Sequence, residues 1–188
     1  MKNKEKLLDY PTIPALIGKH VYLRPTEAED IKIIQQWRLA TDPQTISCHP
    51  TKVASPDEVY ERFRKKEPRP DEANFAIAAV DDHRTVGQLN YFHLNRLNRS
   101  AEIGFLIAPA ERRHGFATEA MRLMIDYLLV DMNLNKVYAQ TGSFNKASIR
   151  LLEGLDFQLD GTLRQHHYYR GDLYDDLIYS LLKFEYSP

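Results

Sequence analysis

The 188-residue sequence predicts a mixed α/β domain, α+β under stricter naming, in which helices cross over a central sheet. Three observations predict it. Mid-chain, three β-rich runs (74–80, 86–93 and 101–108) are separated only by turn-forming clusters at 81–84 and 94–99, the pattern of an antiparallel meander. Directly after the third run, Ala117, Ala120, Met121, Met124, Ile125 and Leu128 recur at three- and four-residue spacing, which predicts a helix over about 115–131. Beyond it, short strand and helix patterns alternate to the end of the chain.

The remaining elements follow in order. Residues 1–13 read as a loose arm punctuated by Pro11 and followed by Pro14, and residues 14–188 as one domain, since no repeat or low-complexity linker divides them. Residues 20–24 alternate as a first strand, and Pro25 ends it. Thr26-x-x-Glu29 has the form of a capping box, with Ile31, Ile34 and Trp37 on one face of a helix reaching about Ala40. Residues 41–54 read as a loop. Ser55-Pro-Asp-Glu58 opens a second helix with a cap residue and a proline at the first position, and two prolines within 67–72 end it. After the long helix come a strand at 136–141, a short helix at 145–153, and two strands at 162–169 and 173–184 joined around Arg170-Gly171-Asp172.

Composition narrows the function. Apolar residues make up 43% and charged residues 27%, as in a soluble globular protein with a sizeable core. The net charge of −1 argues against a nucleic-acid or membrane-surface partner. No apolar run approaches the roughly 20 residues of a membrane span, and the polar start lacks the core of a signal peptide. Cys48 is the single cysteine, so no internal disulfide forms and a reducing cytoplasm is expected. No Cys/His spacing suggests a metal.

The stretch from Ala108 to Ala120 carries the chemistry. A strand stops at Pro109, a basic loop (Arg112, Arg113, His114) follows, and Gly115 opens the long helix. A helix start leaves its first N–H groups without partners and carries partial positive charge. With two arginines and an unhindered glycine backbone, this predicts a phosphate or pyrophosphate site, with an ordinary strand-to-helix turn carrying solvated arginines as the alternative. It is neither a P-loop, since no Gly-Lys-Ser/Thr follows, nor a dinucleotide fingerprint, since Gly-x-Gly-x-x-Gly is missing.

Arg112-Arg-His-Gly115-Phe-Ala117 resembles the Arg/Gln-x-x-Gly-x-Gly/Ala signature of the GNAT N-acetyltransferase superfamily, and Ala117-Thr-Glu-Ala120 resembles its RimJ/RimL branch. The resemblance spans roughly residues 17–185. It includes Gly18-x-x-Val-x-Leu-Arg-Pro25 with Asp30, and Ala101-Glu-Ile-Gly-Phe105. It also includes Asn145-x-x-Ser148-Ile-Arg-Leu-Leu-Glu153 before Phe157, Gly161-x-Leu-Arg164, and Asp175 before Tyr179.

The resemblance implies a GNAT-type, mostly antiparallel sheet flanked by helices. It also implies transfer of acetyl from acetyl-CoA to a primary amine, by direct attack in a ternary complex. Arg112, Arg113, His114, Gly115, Phe116, Ala117 and Thr118 would cradle the pyrophosphate, and the backbone of Phe105, Leu106 and Ile107 would hold the pantetheine arm. The N–H of Leu106 or Ile107 would serve the oxyanion. Asn145 would bond the pantetheine, and Ser148 would stand by the sulfur as thiolate stabiliser or acid. Trp37, His49, Tyr91, His93 and Tyr168 fall where the family builds its acceptor pocket. Leu152 stands where the polyamine-acetylating branch has a tyrosine acid, so that route is closed here. Asp156 replaces the usual glycine before Phe157, which suits a turn or left-handed position.

Glu102 is the candidate general base, because it shares a strand face with Gly104, which leaves room beside it. A structural strand carboxylate, or proton loss through water, is the alternative. The acceptor expected is a protein N-terminus, a small amine or an amino sugar, with polyamine not favoured. The assembly expected is a monomer, or a homodimer through the C-terminal strands. A non-catalytic acyl-CoA-binding module on the same fold, or another donor such as succinyl-CoA, are the rival readings.

Overall fold

The computed structural model describes residues 15–40, 54–65, 67 and 69–187. Their strands form one eight-stranded sheet. In chain order the elements begin with β1 (Leu16–Ile17), β2 (Val21–Pro25), α1 (Ala28–Ala40) and α2 (Pro56–Lys65). The meander β3 (Ala73–Ala79), β4 (Thr85–Asn95) and β5 (Ser100–Ile107) follows, then α3 (Phe116–Asp126) and β6 (Lys136–Gly142). The chain closes with α4 (Lys146–Glu153), β7 (Gln158–Tyr169) and β8 (Asp172–Leu182). The sheet order is β1-β2-β3-β4-β5-β6-β8-β7. Every neighbouring pair is antiparallel except β5–β6, which the α3 crossover makes parallel.

Strand alternation gives the sheet two different faces. Odd-numbered residues of the meander, such as Ile77, Leu89 and Ile103, form one core with Met121, Met124 and Ile125 of α3. Even-numbered residues line up in rows across the strands on the other face. One row is Arg24, Ala76, Gln88 and Leu106; another is Asn74, Asn90 and Gly104. α1 lies over that face, with Asp30, Ile31 and Ile34 buried.

The long helix reaches residue 131 as its periodicity predicts, but not in one form. After Asp126 it widens into a π turn over Tyr127–Asp131, marked by the Met132 N–H donating to the Tyr127 carbonyl five residues back at 2.8 Å. The two-residue β1 lies below any periodic signal, and β7 starts four residues before the predicted strand. β7 is an edge strand, paired only with β8, and Leu159, Leu163 and Tyr168 on it are exposed.

Of the two capping motifs, Ser55/Glu58 forms in full. Glu58 N–H donates to the Ser55 hydroxyl at 3.2 Å, and Ser55 N–H to the Glu58 carboxylate at 2.7 Å. The Thr26/Glu29 box does not form. Asp30 takes the Glu27 N–H at 2.8 Å instead, and the buried Thr26 hydroxyl has no hydrogen-bond partner among the described residues. Asp30 is drawn there by Arg24, whose guanidinium grips it at 2.6 and 2.8 Å, with the Thr85 hydroxyl donating at 2.7 Å. Burial pushes the Asp30 carboxyl up, but these bonds outweigh burial and hold it below the usual carboxylate range.

Candidate active site

β5 and β6 pair only where Ser100, Ala101 and Glu102 lie opposite Lys136, Val137 and Tyr138; beyond that the strands part, although both continue. The reason lies in their other neighbours. β5 stays in register with β4 up to Ile107, and β6 stays with β8 up to Gly142. The Arg99 carbonyl accepts from the Asn135 and Lys136 N–H groups, while the Ala108 N–H donates to the Val86 carbonyl. Backbone direction alternates along a strand, so odd-numbered residues of β5 face the gap and even-numbered ones face β4. Phe105 and Ile107 therefore present peptide groups to the opening. The Leu106 peptide group is turned toward Gln88 on β4 instead.

The parting opens a cleft of about 710 Å³ between β5, the loop after it, β6 and α4. The structure brings Phe105, Leu106, Ile107, Arg112, Arg113, Gly115, Phe116, Ala117, Thr118, Asn145 and Ser148 together along its wall. His114 does not line it; it is exposed, with its ring 5.8 Å from that of Phe116.

The loop owes its curl to two left-handed residues. Arg113 has φ 69°, and Gly115, at the N-cap of α3, has φ 83°. The second is a glycine because that region costs an L side chain about 1–2 kcal/mol. No side chain caps α3, and the first intrahelical bond runs from the Glu119 N–H to the Gly115 carbonyl at 3.1 Å. The N–H groups of Phe116, Ala117 and Thr118 thus stand at an uncapped, electropositive helix end. Glu111 also lines the cleft, but Arg84 grips it at 3.1 and 3.2 Å and lowers its pKa, so this acid does not stand as a bare charge beside the two arginines. Glu119 is turned away as well: its carboxylate takes the N–H groups of Lys19 and His20, the latter at 2.8 Å.

Asn145 caps α4, its side-chain oxygen accepting the Ser148 N–H at 3.2 Å, which holds both residues at the cleft wall. Asp156 adopts φ 63°, the left-handed position expected of it. Leu152 is fully buried in the core.

Glu102 stands at the vertex where the strands part, opposite Tyr138. The Tyr138 hydroxyl hydrogen-bonds to it; burial first, then this carboxylate, raise the tyrosine pKa. His93 Nδ1 lies 2.9 Å from Glu102 Oε2. Strict alternation would point His93 away from its neighbour Phe92, which pairs with Glu102. A bulge between Phe92 and Asn95, with His93 at φ 53°, turns the imidazole back onto the carboxylate. Sequence reasoning missed Tyr138 and residues 139–141, since only a strand was readable there.

The other pocket candidates are not brought together. Trp37 is half-buried on α1 and does not line the cleft. Tyr91 is on the core face, 9% exposed, with its ring 6.4 Å from that of Phe75. Tyr168 is 58% exposed on the edge strand β7. His49 and Cys48 lie outside the described residues. Among the described residues no cluster of His, Cys, Asp and Glu could hold a metal ion, and no helix is long and apolar enough to cross a membrane.

The chain is similar to known proteins. The family model described as an acetyltransferase (GNAT) domain matches residues 20–158. The uncharacterized N-acetyltransferase p20 of Bacillus licheniformis is 30% identical over 92% of this chain and 98% of its own. The putative ribosomal N-acetyltransferase YdaF of Bacillus subtilis strain 168 is 33% identical over 56% of this chain and 58% of its own. A solved structure of mutant forms of the spermidine/spermine N-acetyltransferase SpeG from Vibrio cholerae superposes with a TM-score of 0.77 at 23% identity, over 90% of this chain and 97% of that one. At that identity the likeness shows the fold alone.

Proposed function

This chain belongs to the GNAT acetyltransferase family and is an N-acetyltransferase, and on that premise we propose that it transfers acetyl from acetyl-CoA to a primary amine by direct attack. One observation carries the reading. The strand gap exposes the Phe105 and Ile107 peptide groups and ends at the uncapped start of α3. A long ligand with an amide-bearing arm and a diphosphate end fits a groove that offers strand-like hydrogen bonds and then an anion site.

On this reading the N–H groups of residues 116–118, with Arg112 and Arg113, hold the diphosphate. The backbone of Phe105 and Ile107 pairs with the pantetheine arm, supported by Asn145. The Ile107 N–H donates to the carbonyl oxygen that gains charge as the amine attacks. Glu102 takes the proton the amine loses, and His93 and Tyr138 fix the orientation of its carboxylate. Ser148, at the start of α4, donates to the departing thiolate. The amine's lone pair forms the new C–N bond as the C–S bond breaks, so no protein nucleophile is needed; holding both partners in line supplies much of the acceleration. Acceptors of the RimJ/RimL type, a protein N-terminus or a small amine, are the first to try.

Thiol release from acetyl-CoA, measured against an amine panel alongside calorimetric coenzyme binding, tests the reading. Amine-dependent release is the expected result. Tight binding with no release for any acceptor would instead support a non-catalytic acyl-CoA sensor.

A further inference from the structure

The face of the sheet that carries Glu102 and Gly104 also carries an arginine with no acidic partner among the described residues. Asp30, Ile34 and Arg38 follow one another at four-residue spacing, so α1 presents them as one stripe to the sheet. At one end of the stripe the chain matches charge with charge: Asp30 holds Arg24 through two hydrogen bonds. At the other end Arg38 receives, among the described residues, only a neutral group, its Nη2 donating to the Gln88 amide oxygen at 2.9 Å. Its Nε is buried without a hydrogen-bond partner among the described residues. Burial is what acts on this guanidinium, and it pulls the pKa below the usual value. The carbonyls at the end of α1 offer part of a counter-field. They do not offer the carboxylate that a desolvated guanidinium ordinarily keeps.

Its place in the fold says what is missing. Gln88 is itself buried and sits directly opposite Leu106 on β5. Neighbouring strands are about 5 Å apart, so Arg38 hangs beside the strand whose far edge borders the cleft. Gly104, one step along the same face, lines the cleft together with Leu106, with the Asn90 and Phe92 side chains packed beside it. We propose that Arg38 is a specificity residue of the acceptor site, and that the amine this enzyme takes carries a carboxylate or a phosphate as the counter-charge of Arg38. The inference rests on the acetyltransferase reading above. It runs against a polycationic acceptor, which would meet a like charge at this point.

The test compares kcat/KM for matched acceptors: methionine against methioninamide, phosphoethanolamine against ethanolamine, and spermidine. It is run on the wild type, R38M, R38K and D42N. Methionine at position 38 keeps the apolar stem without the charge, and lysine keeps the charge without the fork. Asp42 is the one acid within the undescribed residues 41–53, so D42N asks whether it is the partner instead.

The expected result has three parts. The anionic acceptors outperform their neutral partners in the wild type. R38M loses that preference by about 10- to 100-fold, while R38K keeps part of it. D42N leaves it unchanged, and the dissociation constant of coenzyme A stays the same in all four proteins. The pair of anionic acceptors separates carboxylate from phosphate. A wild type that prefers spermidine or the neutral amines overturns the inference. So does an R38M loss that is equal for anionic and neutral acceptors, or a D42N variant that behaves as R38M does. Absence of thiol release for every amine refutes the acetyltransferase reading rather than this one. In that case thermal stabilisation of the coenzyme-bound protein by methionine or phosphoethanolamine, abolished in R38M, still supports the anion site, and no stabilisation overturns it.

Discussion

Replacing Gly115 separates the two things asked of that residue, a left-handed backbone and an approachable one. A Cβ built there meets nothing within 4 Å, so alanine brings no clash and only the conformational cost of φ 83°. That cost is about 1–2 kcal/mol. In a domain of this size it lowers Tm by about 3–6 °C. Glutamate pays the same backbone cost, partly offset because a carboxylate at a helix start gains about 0.3–1 kcal/mol. The free G115E protein should therefore be at least as stable as free G115A. Coenzyme binding should split them the other way. A carboxylate about 4 Å from a phosphate charge is repelled by about 4 kcal/mol at an effective dielectric of about 20. The exposed loop and about 0.15 M salt screen part of this, leaving a loss of roughly 100-fold in affinity for G115E against less than about tenfold for G115A. Calorimetric titration of coenzyme A into each folded variant, with thermal unfolding beside it, reads both quantities. If G115E folds and binds coenzyme A as tightly as G115A does, the diphosphate is held elsewhere.

Three further outcomes are expected. Glu102→Gln should lower kcat more than it raises the acceptor KM, with His93→Ala showing a smaller loss of the same kind; turnover unchanged at high and low pH alike would remove Glu102 as base. Asp30→Asn strips the charge from a pair whose side chains are 9% and 4% exposed, and should cost about 3 kcal/mol by chemical denaturation. Because folding depresses the Asp30 pKa, the wild-type pair stabilises fully above the unfolded value of about 3.9. That contribution is lost as pH falls through the lower folded value, so the wild-type advantage over D30N should shrink below about pH 4. Asn145→Ala should cost about 1 kcal/mol of stability through the lost cap. Asn145→Asp should restore the stability without restoring coenzyme affinity.

What could be read from the chain followed the range of the forces involved. The meander and α3 were readable because alternation and helical spacing are local. Gly115 was readable because a basic loop followed by a glycine that opens a helix is also a local pattern. The parting of β5 from β6 was not, since it depends on which strands compete for each edge, a nonlocal matter. His93 and Tyr91 show the limit of counting by twos: one bulge turns the first onto Glu102, while unbroken alternation carries the second into the core. Thr26 and Glu29 matched a capping pattern, but Arg24 made Asp30 the better partner. Arg38 gave no signal at all, because a cation on a helix is ordinary until its neighbours are known.

The sheet is, in effect, one rung short. From residue 103 onward β5 has a neighbour on one side only, so the left and right portions are stitched together by three residue pairs and the crossover helix. On the proposed reading, the incoming thioester is the missing rung, and the enzyme becomes a finished sheet only while loaded. A ligand that binds the folded state alone adds about 2.7 kcal/mol at a hundredfold excess over its dissociation constant. The survival of this protein against unfolding and proteolysis would then rise and fall with the supply of activated acyl groups, coupling its abundance to the metabolic state it draws upon.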